Sequence, residues 1–213
     1  MARLEPLPPD ATPELAEHFR FFVGTLGFTP NSVLTMQRRP KLVQALAALN
    51  GAVMDPEGEV GLGFRRLVGH LASRAAGCRY CMAHTALGAR NFGIDDAKLD
   101  ALWEYRTSPL YSEAERVALD FALAAGSQPN DVTDELFAAL RQHWSDGQIV
   151  EILAVVALFG FLNRWNDTLA TPLEPAAAAV AERFLARGGW SAGKHASGEA
   201  CAASGAREGE GTT

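Results

Sequence analysis

The chain has 213 residues, of which 48% are hydrophobic and 21% charged, so it can bury a sizeable core. Its formal net charge is −6 and its longest basic cluster is Arg38-Arg39, which argues against a nucleic-acid partner because phosphate binding needs clustered cations. The longest apolar run, 152–162, is shorter than the roughly 20 residues that cross a bilayer, and the N-terminus lacks an export signal. We expect a cytoplasmic protein with no membrane partner.

Apolar residues return every three or four positions, which predicts an all-α fold without strands. Thr12-Pro13 predicts the cap of the first helix, which Gly27 ends. The next helices are predicted at about 31–38, 40–50, 59–76 and, between Gly77 and Gly93, 78–92.

In the second half, Ser112 with Glu115 and Ser145 with Gln148 match the capping-box pattern. They predict the starts of helices over 112–124 and 145–169, the latter ended by Pro172. Further helices are predicted over 95–103, with Asp95 as cap, and over 133–144 and 175–187.

The composition after Trp190 turns to Gly, Ala, Ser, Glu and Thr, which predicts a disordered tail over 197–213. Cys201 falls in this tail and is interpreted as a thiol without a role. The remainder, 1–196, is predicted to be one helical domain, with a core at about 55–125 and a helical second half at about 126–190.

Cys78 and Cys81 open the predicted helix over 78–92. In a reducing compartment, a close cysteine pair is typical of a catalytic, redox-active or metal-binding site. Residues three apart on a helix lie about 5–6 Å apart at Cβ, so these thiols can form a disulfide after a small adjustment. The backbone N–H groups and the dipole at a helix start also stabilise a thiolate. The spacing therefore predicts a thiol–disulfide centre.

His84 lies one turn beyond Cys81 and farther from Cys78, which makes Cys81 the predicted nucleophile and Cys78 the resolving thiol. A neighbouring imidazole can take a thiol proton or return one to a leaving group. His195 receives no assigned role. The segment 161–167 is interpreted as helix-end packing rather than as pocket lining.

Two other interpretations of the pair stay open. The cysteines can be small core residues, or they can bind zinc together with His84 and His70. Structural zinc usually takes two separated ligand pairs, and no second pair exists in the sequence. We therefore expect neither a metal nor a cofactor.

The segment Ala72-Ser-Arg-Ala-Ala-Gly-Cys-Arg-Tyr-Cys81, with His84-Thr85, Ala89 and the later Asn163-Arg-Trp-Asn166, resembles the carboxymuconolactone decarboxylase superfamily, specifically its alkylhydroperoxidase (AhpD-like) branch. The resemblance covers roughly residues 15–190. It implies an all-α, AhpD-like multi-helix bundle with the CxxC at the N-terminus of a buried helix, assembled as a homo-oligomer. It also implies peroxide or disulfide reduction at the pair, with the second cysteine attacking.

The chain departs from that family at two positions. The family histidine usually follows the second cysteine by four residues, whereas His84 follows by three, and the family's relay glutamate, about twelve residues before the first cysteine, is Arg66 here. His70, one turn beyond Arg66, is the preferred substitute. Glu151 is the other, because a carboxylate beside an apolar run often has a raised pKa; alternatively it pairs only with Arg65, Arg66 or Arg164.

The leading hypothesis is a thiol-dependent peroxidase or disulfide oxidoreductase that reduces hydroperoxides and is reset by an external dithiol or lipoyl-type reductant. Its catalytic residues are predicted to be Cys81, Cys78, His84, His70 and Glu151. One alternative is a lactone decarboxylase like the superfamily's namesake, which leaves the pair unexplained. The other is a non-catalytic helical redox sensor or oligomeric interaction protein.

Overall fold

The computed structural model describes residues 2–197; most of the predicted tail, including Cys201, lies outside the described residues. The described part is all-helical. Short 3-10 turns at Pro13–Leu15, Ala101–Glu104, Ala186–Gly188 and Gly193–His195 extend or join the longer helices. The α-helices are α1 (Ala16–Leu26), α2 (Asn31–Met36), α3 (Pro40–Val53), α4 (Leu62–Ala75), α5 (Arg79–Asn91), α6 (Asp96–Asp100), α7 (Glu113–Gly126), α8 (Asp134–Arg141), α9 (Asp146–Leu169) and α10 (Pro175–Leu185).

The helices α4 and α5 form the centre of the bundle. They pack against each other across the turn at Gly77, whose φ of +70° favours glycine. Every residue of 63–73 on α4 and of 80–89 on α5 is buried. Both helices are covered on all sides, since α7 and α9 pack on α4 while α1, α9 and α10 pack on α5. The cysteines therefore lie in the interior of the domain.

The helix limits follow local hydrogen bonds. Both predicted capping boxes are confirmed: Ser112 and Ser145 each accept the expected backbone N–H, and each partner side chain bonds back. Thr12 and Asp95 occupy the predicted N-cap positions, but neither side chain makes a cap hydrogen bond. The helix predicted from residue 59 begins at Leu62, because the N–H groups of the preceding residues bond to a side chain of α9 instead.

Helix α9 is the longest helix and reaches the region of the cysteines with its C-terminal end. By length and composition it could cross a membrane, with a mean hydropathy of 1.5 over its most apolar window. One side of it packs on α3, α4, α5, α7 and α8, as a core helix does. The other side leaves Val150, Leu153 and Phe161 exposed.

Residues 189–197, the C-terminal strap, cross the start of α5. The indole of Trp190 donates to the carbonyl of Arg79 at 3.1 Å, and the Leu173 N–H donates to the carbonyl of His195 at 2.9 Å. Trp190 and His195 are buried. The composition suggested little apolar burial in this region, yet two anchors dock it beside the cysteine pair.

Close packing of α7 on α4 requires glycine at one contact. A Cβ added at Gly126 would lie 2.8 Å from the Ala72 Cα and 3.0 Å from its carbonyl oxygen. We predict that Gly126→Ala lowers the free energy of unfolding by about 1–3 kcal/mol, because backbone must move. Urea titration measures this. The matched control is Gly24→Ala on α1, which meets no atom within 4 Å and should raise stability by about 0.5–1 kcal/mol. Equal effects of the two substitutions would contradict the packing argument.

Candidate active site

Cys78 and Cys81 occupy the first turn of α5, as predicted. Cys78 is the N-cap with extended backbone (φ −82°, ψ 98°), and its carbonyl accepts the first helical N–H, that of Met82, at 3.1 Å. Both residues are free thiols with side chains closed off from solvent. The Cys78 N–H itself bonds back to the carbonyl of Ser73 at the end of α4. The helix start thus fixes the pair between the two central helices.

The two sulfurs hold their protons unequally. The Cys81 thiol donates toward Cys78, and backbone N–H groups at the helix start add to this, so the pKa of Cys78 lies below its ordinary value in spite of burial. Burial, and then the neighbouring Cys78, raise the pKa of Cys81 well above its ordinary value. Asn166 Nδ2 contacts the Cys81 sulfur at 3.5 Å. When one thiol of the pair ionises, the negative charge is therefore favoured on Cys78. The spacing of His84 had predicted Cys81 as the nucleophile instead.

His84 faces a glutamate that the sequence analysis missed. Its Nε2 lies 2.9 Å from Glu174 Oε2 at the start of α10, and both side chains are about nine-tenths buried. Its Nδ1 lies 3.0 Å from the carbonyl of Tyr80, which can only accept. The Nε2–Oε2 contact is within salt-bridge distance. His84 thus contacts the Glu174 carboxylate through Nε2, while Nδ1 donates to the Tyr80 carbonyl.

The other oxygen of Glu174 is held by two donors. The Tyr80 hydroxyl donates to Oε1 at 2.9 Å, and the Asn31 N–H donates to the same atom. Burial alone would raise the pKa of Glu174, but His84 and these donors outweigh it and hold the pKa below its usual range. Burial and the carboxylate raise the pKa of Tyr80, which keeps its proton. The Tyr80 ring also stacks on His84, with centroids 4.1 Å apart.

A second histidine–carboxylate contact lies beside Cys78. His195 is fully buried, with its Nε2 3.7 Å from Asp167 Oδ1. The Cys78 sulfur, a carboxylate oxygen of Asp167 and a ring nitrogen of His195 all lie within 4.8 Å of one another. The interpretation of 161–167 as packing alone is therefore wrong, because Asn166 and Asp167 face the two cysteines. His195, which received no role, belongs to the same site.

A cleft of about 350 Å³ opens beside this cluster. The ammonium of Lys194 lies 2.7 Å from Asp167 Oδ2. Cysteine, aspartate and histidine are zinc ligand types, but Lys194 and Arg79 bring positive charge to the entrance, which disfavours a cation there. The cleft is lined by Gly77, Arg79, Asp167, Gly193, Lys194 and His195.

The two predicted relay substitutes make other contacts. His70 Nδ1 lies 3.1 Å from both the Met82 carbonyl and the Thr85 hydroxyl, and burial lowers its pKa to about 4. His70 is therefore neutral at neutral pH and contacts the α5 backbone at Met82. The side chain of Arg66, at the family's glutamate position, lies over the Phe92 ring at 5.5 Å.

Glu151 is held away from the pair by α4. Its carboxylate accepts from Arg65 at 2.7 Å and from the N–H groups of Glu59 and Val60. Burial alone would raise its pKa, but these N–H groups and Arg65 together lower it. The expected raised pKa is wrong, and the structure shows the alternative that Glu151 pairs with Arg65.

The bundle and its buried CxxC define an all-helical dithiol protein, and comparison with known proteins gives its family. A sequence profile of the Carboxymuconolactone decarboxylase family matches residues 40–124. The crystal structure of the debrominase Bmp8 is similar: 34% identity, TM-score 0.80, covering 85% of this chain and 97% of that one. A cysteine-to-alanine variant of Bmp8, in complex with 2,3,4-tribromopyrrole, has a TM-score of 0.81.

Two further relatives extend the comparison. An uncharacterized peroxidase-related protein from Ralstonia eutropha JMP134, with an alkylhydroperoxidase AhpD core, is 27% identical with a TM-score of 0.68; the match covers 84% of this chain and 90% of that one. The uncharacterized protein YnjA of Escherichia coli K12 is 32% identical over 111 residues, which cover 52% of this chain but only 60% of that protein. The chain belongs to the carboxymuconolactone decarboxylase family, in its AhpD-like branch.

The Glu174 carboxylate should stabilise the fold in a pH-dependent way. Its folded-state pKa lies below the unfolded value of about 4.3, so its contribution is complete above that pH and is lost as pH falls through the folded pKa. We predict that Glu174→Gln costs about 1–3 kcal/mol at pH 7 and that this difference from wild type shrinks below about pH 4. Urea titrations across pH test this, with the exposed Glu182→Gln on the same helix as control. A pH-independent difference would contradict the ionised pair.

The difference in pKa between Cys78 and Cys81 should produce a difference in their rates of alkylation. In a Cys201→Ser background, trace alkylation followed by peptide mapping reports Cys78 and Cys81 separately. We predict that Cys78 is modified preferentially at neutral pH, because the thiolate is the reactive form and its pKa is the lower of the two. Preferential labelling of Cys81 would restore the order derived from the spacing of His84.

Proposed function

We propose that the chain is a thiol-dependent reductase that transfers two electrons from the Cys78/Cys81 dithiol to a hydroperoxide. The observation that carries the proposal is the buried free dithiol at the start of α5. In support of it, the pKa of Cys78 lies below its ordinary value and the pKa of Cys81 lies well above. Membership of a family that includes peroxidase-related proteins supports it. An external dithiol or lipoyl-type compound would reset the disulfide.

The first step forms a sulfur–oxygen bond. The Cys78 thiolate attacks the distal oxygen of the hydroperoxide, the O–O bond breaks, and the alkoxide leaves while Cys78 becomes a sulfenic acid. The alkoxide takes a proton, for which we propose His84 as donor. His84 lies one turn beyond Cys81 on α5, and its Nε2 lies 2.9 Å from Glu174 Oε2.

The second step closes the disulfide. Cys81 attacks the sulfur of the sulfenic acid, the S–S bond forms, and hydroxide leaves as water with the Cys81 proton. The sum is one hydroperoxide and one dithiol giving an alcohol, water and a disulfide. Asn166 contacts the Cys81 sulfur and orients it during this exchange. In this proposal Cys78 attacks and Cys81 resolves, whereas the resemblance implied that the second cysteine, Cys81, attacks.

A second candidate is reductive removal of bromine from an organic bromide. The similarity to Bmp8, which covers 97% of that chain, favours it specifically. The same thiolate would attack bromine, forming S–Br and breaking C–Br, and the ring carbon would take a proton. Cys81 would then displace bromide to give the same disulfide. Both candidates use the dithiol as a two-electron donor and differ only in the atom that the thiolate attacks.

We predict that the reduced protein consumes an organic hydroperoxide, one equivalent per chain without added reductant and continuously with a dithiol. Cys78→Ser and Cys81→Ser should each abolish the single-equivalent disulfide, while Cys201→Ser keeps full activity. A parallel assay follows bromide release from 2,3,4-tribromopyrrole. Bromide release without hydroperoxide loss would replace the first candidate by the second. Absence of both reactions would refute the reductase proposal.

A further inference from the structure

The C-terminal strap brings His195, with an unoccupied ring nitrogen, to the first cysteine. We propose that His195 Nε2 is the proton acceptor for the Cys78 thiol, with Asp167 as the positioning carboxylate. The inference rests on the proposed function in that it concerns the same dithiol. Thiol ionisation can nevertheless be measured without any substrate, so the two proposals fail separately.

The tautomer of His195 follows from one hydrogen bond. Nδ1 lies 2.8 Å from the carbonyl oxygen of Thr171, which can only accept, so Nδ1 carries the proton. Burial lowers the pKa of the ring, in spite of the Thr171 bond and Asp167, so the ring is neutral at neutral pH. A neutral ring protonated on Nδ1 has its lone pair on Nε2. The Thr171 carbonyl thereby holds His195 in the tautomer whose Nε2 can accept a proton.

Because Nδ1 is directed at Thr171 and Nε2 lies 3.7 Å from Asp167 Oδ1, Nε2 is the ring nitrogen on the side of the cluster around Cys78. Nε2 is buried and makes no hydrogen bond within the described part of the protein. The Cys78 sulfur and the Asp167 carboxylate lie within 4.8 Å of the ring and of each other. A proton that leaves Cys78 breaks the S–H bond and forms an N–H bond at Nε2. The resulting imidazolium lies between a thiolate and the Asp167 oxygen 3.7 Å away.

The charged surroundings support this transfer. Lys194 pairs with the far oxygen of Asp167 at 2.7 Å, which offsets the repulsion between that carboxylate and a thiolate. Arg79 lines the cleft on the side of α5 and hydrogen-bonds Ser191 of the strap. Tyr80 is a further titratable group at the ring, with its ring centroid 5.9 Å from that of His195.

The other two histidines near α5 lack a free basic nitrogen directed at Cys78. His84 contacts Glu174 through one nitrogen and the Tyr80 carbonyl through the other. His70 directs Nδ1 at the α5 backbone and the Thr85 hydroxyl. His195 therefore takes the position of base at the first cysteine, and the strap must be docked for it to act.

We predict that His195→Asn raises the midpoint pH of Cys78 thiolate formation by about 1 unit and slows its alkylation at pH 7 about tenfold. Asparagine can keep the donor to the Thr171 carbonyl but lacks the base. The measurement is trace alkylation against pH in a Cys201→Ser background, with exposed His143→Asn as matched control. Circular dichroism checks folding. An unchanged midpoint in folded His195→Asn would overturn the proposal.

A measurement with the native histidine covers the case in which His195→Asn fails to fold. The proposal predicts that the ¹⁵N shift of His195 Nε2 shows a titration step at the midpoint at which Cys78 ionises, because two groups that share a proton titrate as a coupled pair. In Cys78→Ser this transition should disappear. A His195 titration that is identical in wild type and Cys78→Ser would refute the assignment. Neither experiment contains a hydroperoxide, so turnover does not enter the result.

Discussion

The confinement of two thiols at the start of a buried helix, one of which must lose its proton to react, is the constraint on which the rest of the site depends. A charge removed from water must be met by dipoles or opposite charges. The N-terminus of α5 supplies backbone N–H groups, and the Cys81 thiol donates a hydrogen bond to the Cys78 sulfur. Asn166, from the far end of α9, completes the surroundings of the second sulfur. The packing of α4, α9, α10 and the strap around α5 serves to enclose this pair.

The Asp167 carboxylate near Cys78 would by itself oppose thiolate formation, and Glu174 is a second buried carboxylate in contact with α5. Lys194 pairs with Asp167, and the Tyr80 hydroxyl and the Asn31 N–H donate to Glu174. Each carboxylate therefore has partners that compensate its charge. The two histidines differ in a way that suits opposite tasks. His84 contacts the Glu174 carboxylate, whereas His195 is kept neutral by burial.

Features of short range were predictable from sequence. The helices and both capping boxes follow from periodicity and from pairs three residues apart, as does the position of the cysteines. Glu174 and His195 lie about ninety or more residues from the cysteine helix in sequence, and no local pattern reports that contact. His70 and Glu151 had plausible helical spacing, but side-chain direction on α4 and an ion pair with Arg65 commit them elsewhere. The strap up to residue 196 falls in the predicted domain, but composition after Trp190 gave no sign that His195 would be buried beside Cys78.

The departure from the family's glutamate position has a physical consequence. Arg66 is buried against Phe92 and keeps its charge, although burial lowers its pKa to about 10, so α4 cannot supply a carboxylate to the pair. The two carboxylates and His195 come instead from α9, the start of α10 and the strap, all C-terminal to the residues that match the family profile, whereas His84 lies on α5 inside that match. The dithiol and His84 therefore belong to the shared core, and Asp167, Gly193, Lys194 and His195 of the cleft wall belong to the C-terminal part. The two proposed reactions begin with the same sulfur, so we expect discrimination between a peroxide oxygen and a bromine atom to depend on the cleft wall.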